Sequence, residues 1–252
     1  MRPVRTALLV LGSCCLLAAV VGPVRALGEA SRVELRAVAV ADFEEPRPTA
    51  RRRLAWEVRQ RTSIDTRLQP GRSRLDDPAV FESPLLYWAG DRAFPPLSNG
   101  ELVGLRRFID FGGMLLVDDA APDDDGFDRS IRRALRRALG AGSLRPIPRD
   151  HTLYRSFYLL DRPVGRVQGP PHLEGVERGG RMAVVYSRHD LGGAWARDNL
   201  GTWQHAVVPG GERQRELAIR LGVNLVMYAL CLDYKDDQVH APFIMRRRGG
   251  SP

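Results

Sequence analysis

The chain has 252 residues, 44% of them hydrophobic and 27% charged, with a formal charge of +8. Such a length fits one generous domain or two small ones, and the composition supports a core in a soluble globular chain rather than a low-complexity one. Lys235 is the sole lysine, so the positive excess is arginine and reflects compositional bias more than a partner.

The N-terminus has the pattern of a secretory signal. Arg2 and Arg5 precede an apolar run from Thr6 to Gly22, and Val24-Arg25-Ala26 supplies a small-residue cleavage pattern. Cleavage after Ala26 is expected, giving a periplasmic or secreted protein with a mature charge of 8 − 3 = +5. Two alternatives stay open. Leu11-Gly12-Ser13-Cys14 resembles a lipobox, and an uncleaved segment of about 17 apolar residues is at the short limit for a membrane anchor. After cleavage Cys231 is the only thiol, which excludes an internal disulfide and a cysteine-based zinc site. The expected organisation is a signal peptide over 1–26, a first strand and loop within 27–48, a single α/β domain over 33–248 and a tail over 249–252.

In chain order, Val33 to Val40 reads as a first strand and Glu44 to Pro48 as a proline-broken loop. Thr49 can cap a helix running to about Arg61, and Thr66 to Pro78 reads as a loop. Leu85 to Gly90 is a second buried strand. Ser98-x-x-Glu101 is a capping box opening a helix whose apolar stripe is Leu102, Leu105, Phe108 and Ile109. Gly112 and Gly113 stop it, and Met114 to Val117 is a strand covered on both faces. Phe127 to Leu139 is a third helix, ended by Gly140. Ser143 to Pro148 reads as extended, and Thr152 to Tyr158 as one or two helical turns. Leu173 to Glu177 and Arg181 to Ser187 read as a hairpin turning at Gly179-Gly180. Leu191 to Gly211 reads as a long loop, Arg213 to Leu230 as the last helix, and the tail from Asp233 as partly extended. The alternation of strands and helices predicts an α/β fold, a doubly wound and mostly parallel sheet.

Ligands of such sheets bind beyond the carboxyl ends of the strands. Those ends carry Asp42, Gly90-Asp91, Asp118-Asp119 and Ser187-Arg188-His189-Asp190. The candidate catalytic groups are Asp118, Asp119, His151 and His189, an acid–base set for which Ser187 would be the nucleophile if a base touched it. The candidate ligand-binding rim is Asp42, Asp91, Asp118, Asp119, Ser187, Asp190 and Trp195. The competing reading is that each aspartate caps a turn or helix. The acidic run from Asp118 to Asp128 lacks EF-hand spacing, and the histidines lack metal-helix spacing, so no metal site and no cofactor are expected. Arg129, Arg132, Arg133, Arg136 and Arg137 form a basic helix face, read as solvated, and no nucleic-acid partner is expected. Asn224, mid-helix among apolar residues, reads as buried and structural.

Several segments together resemble a bacterial domain-of-unknown-function family, number 4159. They are Pro84-Leu85-Leu86-Tyr87-Trp88, Gly112 to Asp118, Arg215 to Leu230, and Tyr234-Lys235-x-Asp237-Gln238-Val239-His240-x-Pro242. The resemblance spans about Leu54 to Arg248. It implies a flavodoxin-like fold similar to class I glutamine amidotransferases and a cell-envelope setting. It also implies partners among neighbouring MoxR-type ATPases and von Willebrand factor A proteins. Relatives often carry a two-helix membrane anchor where this chain is expected to have only its signal segment. The family has no established reaction. Where an amidotransferase places its cysteine after a central strand, this chain has Asp118-Asp119-Ala120, so no glutaminase activity is expected. The leading expectation is a non-catalytic ligand- or partner-binding domain. The alternative is an envelope hydrolase acting on a glycan-like substrate through Asp/His chemistry.

Overall fold

A computed structural model describes residues 32–41, 43–140 and 144–248, with 232–248 taken as backbone. The expected signal peptide, Asp42 and the 249–252 tail lie outside the described residues. Among the described residues seven strands form one sheet: β1 (Leu35–Ala39), β2 (Arg72–Arg74), β3 (Leu85–Gly90), β4 (Met114–Asp119), β5 (Arg145–Pro146), β6 (Glu174–Arg178) and β7 (Arg181–Ser187). Their order is β2-β1-β3-β4-β7-β6-β5. The first five in that order are parallel, and β6 and β5 extend the sheet antiparallel. Five helices accompany it among the described residues: α1 (Ala50–Arg61), α2 (Asn99–Asp110), α3 (Asp125–Leu139), α4 (Leu191–Trp195) and α5 (Gly211–Arg248).

The alternation of side chains along each strand sorts the core into two layers. Leu85, Tyr87, Met114, Leu116 and Val185 face a cluster containing α1, α4 and α5. Leu86, Trp88, Leu115, Val117 and Tyr186 face α2 and α3. The central strands are therefore buried on both faces, as their continuous apolar runs require.

Local signals explain most boundaries. The Ser98 hydroxyl accepts from the Glu101 N–H (3.2 Å) while the Glu101 carboxylate accepts from the Ser98 N–H (2.8 Å), which completes the capping box. Gly179 and Gly180 both have positive φ, as a two-residue I′ hairpin demands. Asn224 is fully buried; its carbonyl oxygen accepts from the Phe157 and Tyr158 N–H groups, and its amide donates to the Tyr158 carbonyl.

Three expectations change. The 66–78 loop contains β2, a three-residue edge strand of sequence Arg-Ser-Arg. The 191–211 loop opens with α4. The tail expected to be extended continues α5 to Arg248. Thr49 does occupy the N-cap of α1, but its hydroxyl bonds the Gln204 side chain (3.1 Å) rather than the helix backbone. No helix among the described residues is long and apolar enough to cross a membrane.

Candidate functional site

The carboxyl ends of β4 and β7 meet, but their acidic residues turn inward. Asp118 and Asp119 are consecutive on β4, so the strand's two-residue period sends them to opposite faces. Asp118 is fully buried on the α4 side. Its carboxylate accepts from the Leu191 N–H (2.8 Å), the Gly192 N–H (2.7 Å) and the Tyr87 hydroxyl (2.8 Å). Asp119 points to the α3 side, where it accepts from the Ala121 N–H (3.1 Å) and the Tyr186 hydroxyl (3.3 Å) and lies 3.6 Å from the Arg188 guanidinium. The two carboxylates cannot work on one substrate atom from these positions.

Asp190 joins them through the backbone, its N–H donating to the Asp119 carbonyl (3.1 Å). It holds the left-handed conformation (φ 48°) and caps α4 through the Gly193 N–H (2.9 Å). Its carboxylate, fully buried, receives two hydrogen bonds from Arg47 (3.2 and 3.0 Å) and one from Arg166. Three connections are thereby tied together: the β1–α1 loop carrying Arg47, the 160s loop carrying Arg166, and the β7–α4 turn. Two protein carboxylates thus occupy the α4 N-terminus, a position that in comparable sheets is open to an anionic ligand.

Burial, with the charge of Asp190 beside it, raises the Asp118 carboxyl above the ordinary carboxylate range against the pull of its three donors. Burial pushes Asp119 up to about 6, opposed by the Ala121 N–H and Arg188. His189 is also buried, which pulls its imidazole down to about 4. The neutral ring donates from Nε2 to the Pro170 carbonyl (2.9 Å), so Nδ1 accepts from the Ser187 hydroxyl (3.3 Å). Ser187 is fully buried, and the outer nitrogen of its histidine meets a carbonyl rather than a carboxylate.

The remaining candidates, catalytic His151 and the rim residues Asp91 and Trp195, go elsewhere. His151 caps the short 3₁₀ turn Thr152–Arg155 by accepting from the Leu153 N–H (3.1 Å), and its ring packs 5.5 Å from Tyr228. Tyr228 in turn bonds Met182 at the start of β7, so His151 belongs to the opposite edge of the sheet from Asp118. Asp91 follows β3 and pairs with its neighbour Arg92 (2.9 Å). Trp195 is a core residue; its ring packs against Tyr87 and its N–H donates to the Ala218 carbonyl (2.9 Å). Within the acidic run, Asp124 caps α3 through the Gly126 N–H and Asp128 pairs with Arg132. No group of three His, Cys, Asp or Glu side chains among the described residues is placed to hold a metal. The free cysteine among them, Cys231, lies exposed on α5 rather than at a strand end.

Gly192 shows how tightly this edge is packed. A Cβ there would lie 2.6 Å from the Tyr87 hydroxyl, the group that bonds Asp118. Helix propensity favours alanine over glycine by up to about 1 kcal/mol. Overpacking should reverse the sign, so Gly192→Ala is expected to lower unfolding free energy by about 1–3 kcal/mol in urea titration.

Beside this closed edge lies an open cleft of about 560 Å³. It is lined by His189, the Arg162–Pro171 loop, the start of α5 and Arg149. The loop is fixed in place. Val167 donates to the His189 carbonyl (3.2 Å), and the Gln214 amide donates to the Gly165 and Val208 carbonyls (both 2.8 Å). Gly165 and Gly169 approach the His189 and Arg188 carbonyls so closely that a Cβ at either would sit 2.2 or 2.5 Å away. Sequence reasoning placed only His189 near this space. The signal available was the proline density of Pro163, Pro170, Pro171 and Pro209, which fixes loop shape.

These features define a mostly parallel α/β domain in which Asp118 and Asp190 cap its own short helix and the open space lies to one side. A family model described as a domain of unknown function (DUF4159) matches residues 32–230, and the chain belongs to that family. The matched span begins before Leu54 and ends ahead of the Tyr234–Pro242 motif. No curated protein matches the chain.

Proposed function

We propose that this domain is a non-catalytic binding module whose ligand site is the cleft beside His189. The observation that carries the reading is the fate of the strand-end chemistry. Asp118, Asp119 and Asp190 are committed to backbone N–H groups, tyrosines and arginines, while the neighbouring cleft stays open and preformed. A volume of about 560 Å³ falls in the range of small-molecule sites, which are concave, partly apolar and largely preformed. The hydrolase alternative finds less support. Among the described residues, none of Asp118, Asp119 and Asp190 hydrogen-bonds a histidine, and the Ser187–His189 contact is buried with no carboxylate behind it.

The parallel order β2-β1-β3-β4-β7 supports the flavodoxin-like, glutamine-amidotransferase-like reading of the fold. Glutaminase chemistry is outside the proposal, because Asp118-Asp119-Ala120 stands where a nucleophilic cysteine would be required. Export to the periplasm or cell surface rests on the N-terminal sequence pattern, and partnership with MoxR-type ATPases and von Willebrand factor A proteins rests on the family resemblance.

A small-molecule fragment screen followed by amide NMR tests the site. Shifts should cluster on residues 162–171, 189 and 209–217. Gln168 is exposed and lines the cleft, so Gln168→Trp should fill it, weakening cleft binders at least tenfold (roughly 1.4 kcal/mol) with Tm unchanged. Shifts confined to another surface, or no binders at all, would refute the assignment.

A further inference from the structure

The cleft carries one sign of charge. Arg149, Arg162 and Arg213 come from three separate segments and line it together, with no Asp or Glu among the lining residues. All three are exposed, and none forms an ion pair with a carboxylate among the described residues. Several less exposed guanidiniums elsewhere in the domain are paired with carboxylates. Arg36 meets Glu34 and Glu82, Arg47 and Arg166 share Asp190, Arg51 meets Glu45, and Arg132 meets Asp128 and Glu174. His189 is neutral and Gln214 is turned to backbone carbonyls, so neither supplies a counter-charge.

From this we propose that the cleft takes an organic oxyanion, a molecule carrying at least two phosphate or carboxylate groups on a partly apolar body. The inference rests on the reading of this cleft as the binding site and names its ligand class. Guanidinium groups match phosphate and carboxylate oxygens through paired N–H donors. A concave wall bearing one sign of charge raises the local concentration of opposite ions. The spread of the three arginines around about 560 Å³ suits several anionic groups rather than one small ion. Val164, Val167 and Leu217, with the prolines, offer apolar surface for the rest of the molecule. The loop needs little ordering on binding, because Gln214 and the His189 carbonyl already hold it, and preorganisation lowers the cost of association.

Calorimetric titration of the full chain at low ionic strength tests this with inorganic pyrophosphate, citrate and, as a singly charged control, acetate. Pyrophosphate or citrate should bind saturably at one site, weaken as salt rises, and exceed acetate at least tenfold. The tighter of the two identifies phosphate or carboxylate as the preferred group. Arg162→Ala with Arg213→Ala should weaken that binding at least tenfold and leave Tm unchanged, since neither residue forms an ion pair among the described residues. Arg162→Lys with Arg213→Lys should recover part of it. Failure of both anions to bind, or equal binding by the alanine variant, overturns the inference. Fragments that occupy the cleft while both anions fail would overturn the ligand class and leave the binding reading standing; a cleft that nothing enters would end both.

Discussion

Asp190→Ala is expected to lower the unfolding free energy by about 3–5 kcal/mol, the range for removing one partner of a buried ion pair. The carboxylate has no exposed side-chain surface, and the side chains of Arg47 and Arg166 retain only 16% and 24% of theirs. Deleting it leaves two guanidiniums facing each other without a counter-ion and orphans the Gly193 N–H. It also places alanine at φ 48°, a conformation that asparagine and aspartate tolerate better. For a domain of this size the loss corresponds to a fall in Tm of roughly 6–20 °C. Asp190→Asn can keep the helix cap and the tolerated backbone, but it removes the charge and turns an NH2 donor toward the guanidiniums, so it should lose stability by less than alanine does. Urea unfolding followed by tryptophan fluorescence reads both, because Trp195 is buried on the helix that Asp190 caps. A loss below about 1 kcal/mol for alanine would place this contact among surface ion pairs and contradict the account of the edge.

Legibility in the sequence tracked how local each signal was. The Ser98–Glu101 capping box, the Gly179-Gly180 turn and the apolar run from Met114 each act within a few residues, and each element formed where its signal lies. β2 was hidden because Arg72-Ser73-Arg74 has no apolar run; pairing with β1 makes it a strand, and only Ser73 is buried. α4 was hidden for a related reason. Leu191-Gly192-Gly193-Ala194-Trp195 has poor intrinsic helix propensity, and its N-terminus is held by Asp118 from 73 residues away as well as by Asp190. The site divides along the same line. That acidic residues gather at strand ends was readable, but Asp119 and Asp190 touch only through their backbones, and their carboxylates part company. That Asp118 and Asp119 must face opposite ways was readable too, since consecutive strand residues always do. Arg47 and Arg166 left no sequence trace, because a loop arginine that reaches a buried carboxylate looks like any other. The cleft, drawn from 149, 162–171, 189 and 209–217, exists only once four distant segments are brought together.

Asp118→Ala should cost about 3 kcal/mol, because the Leu191 N–H, the Gly192 N–H and the Tyr87 hydroxyl each lose a partner where water cannot replace it. The more discriminating variant is Asp118→Asn, which keeps the shape, removes the titration and, because all three partners donate, loses at least one accepted hydrogen bond at every pH. Burial and the Asp190 charge raise the native Asp118 carboxyl above its unfolded value near 3.8. Between those two values the native state binds more protons than the unfolded state, so stability falls as pH rises through the window. Asparagine carries no such dependence. The advantage of the wild-type chain over Asp118→Asn is therefore expected to be largest near pH 4 and to shrink toward pH 8. Two other groups titrate nearby, with opposite signs. Asp119, raised to about 6, destabilises with rising pH in the same way, whereas His189, lowered to about 4, makes stability rise with pH between 4 and its unfolded 6.5. Both contributions are common to wild type and variant and cancel in the difference. Urea titrations of the two proteins at unit pH steps give that difference directly. If it grew with pH, the donors on Leu191, Gly192 and Tyr87 would outweigh burial and hold the carboxylate ionised. Asp118 would then act as a charged cap throughout the physiological range.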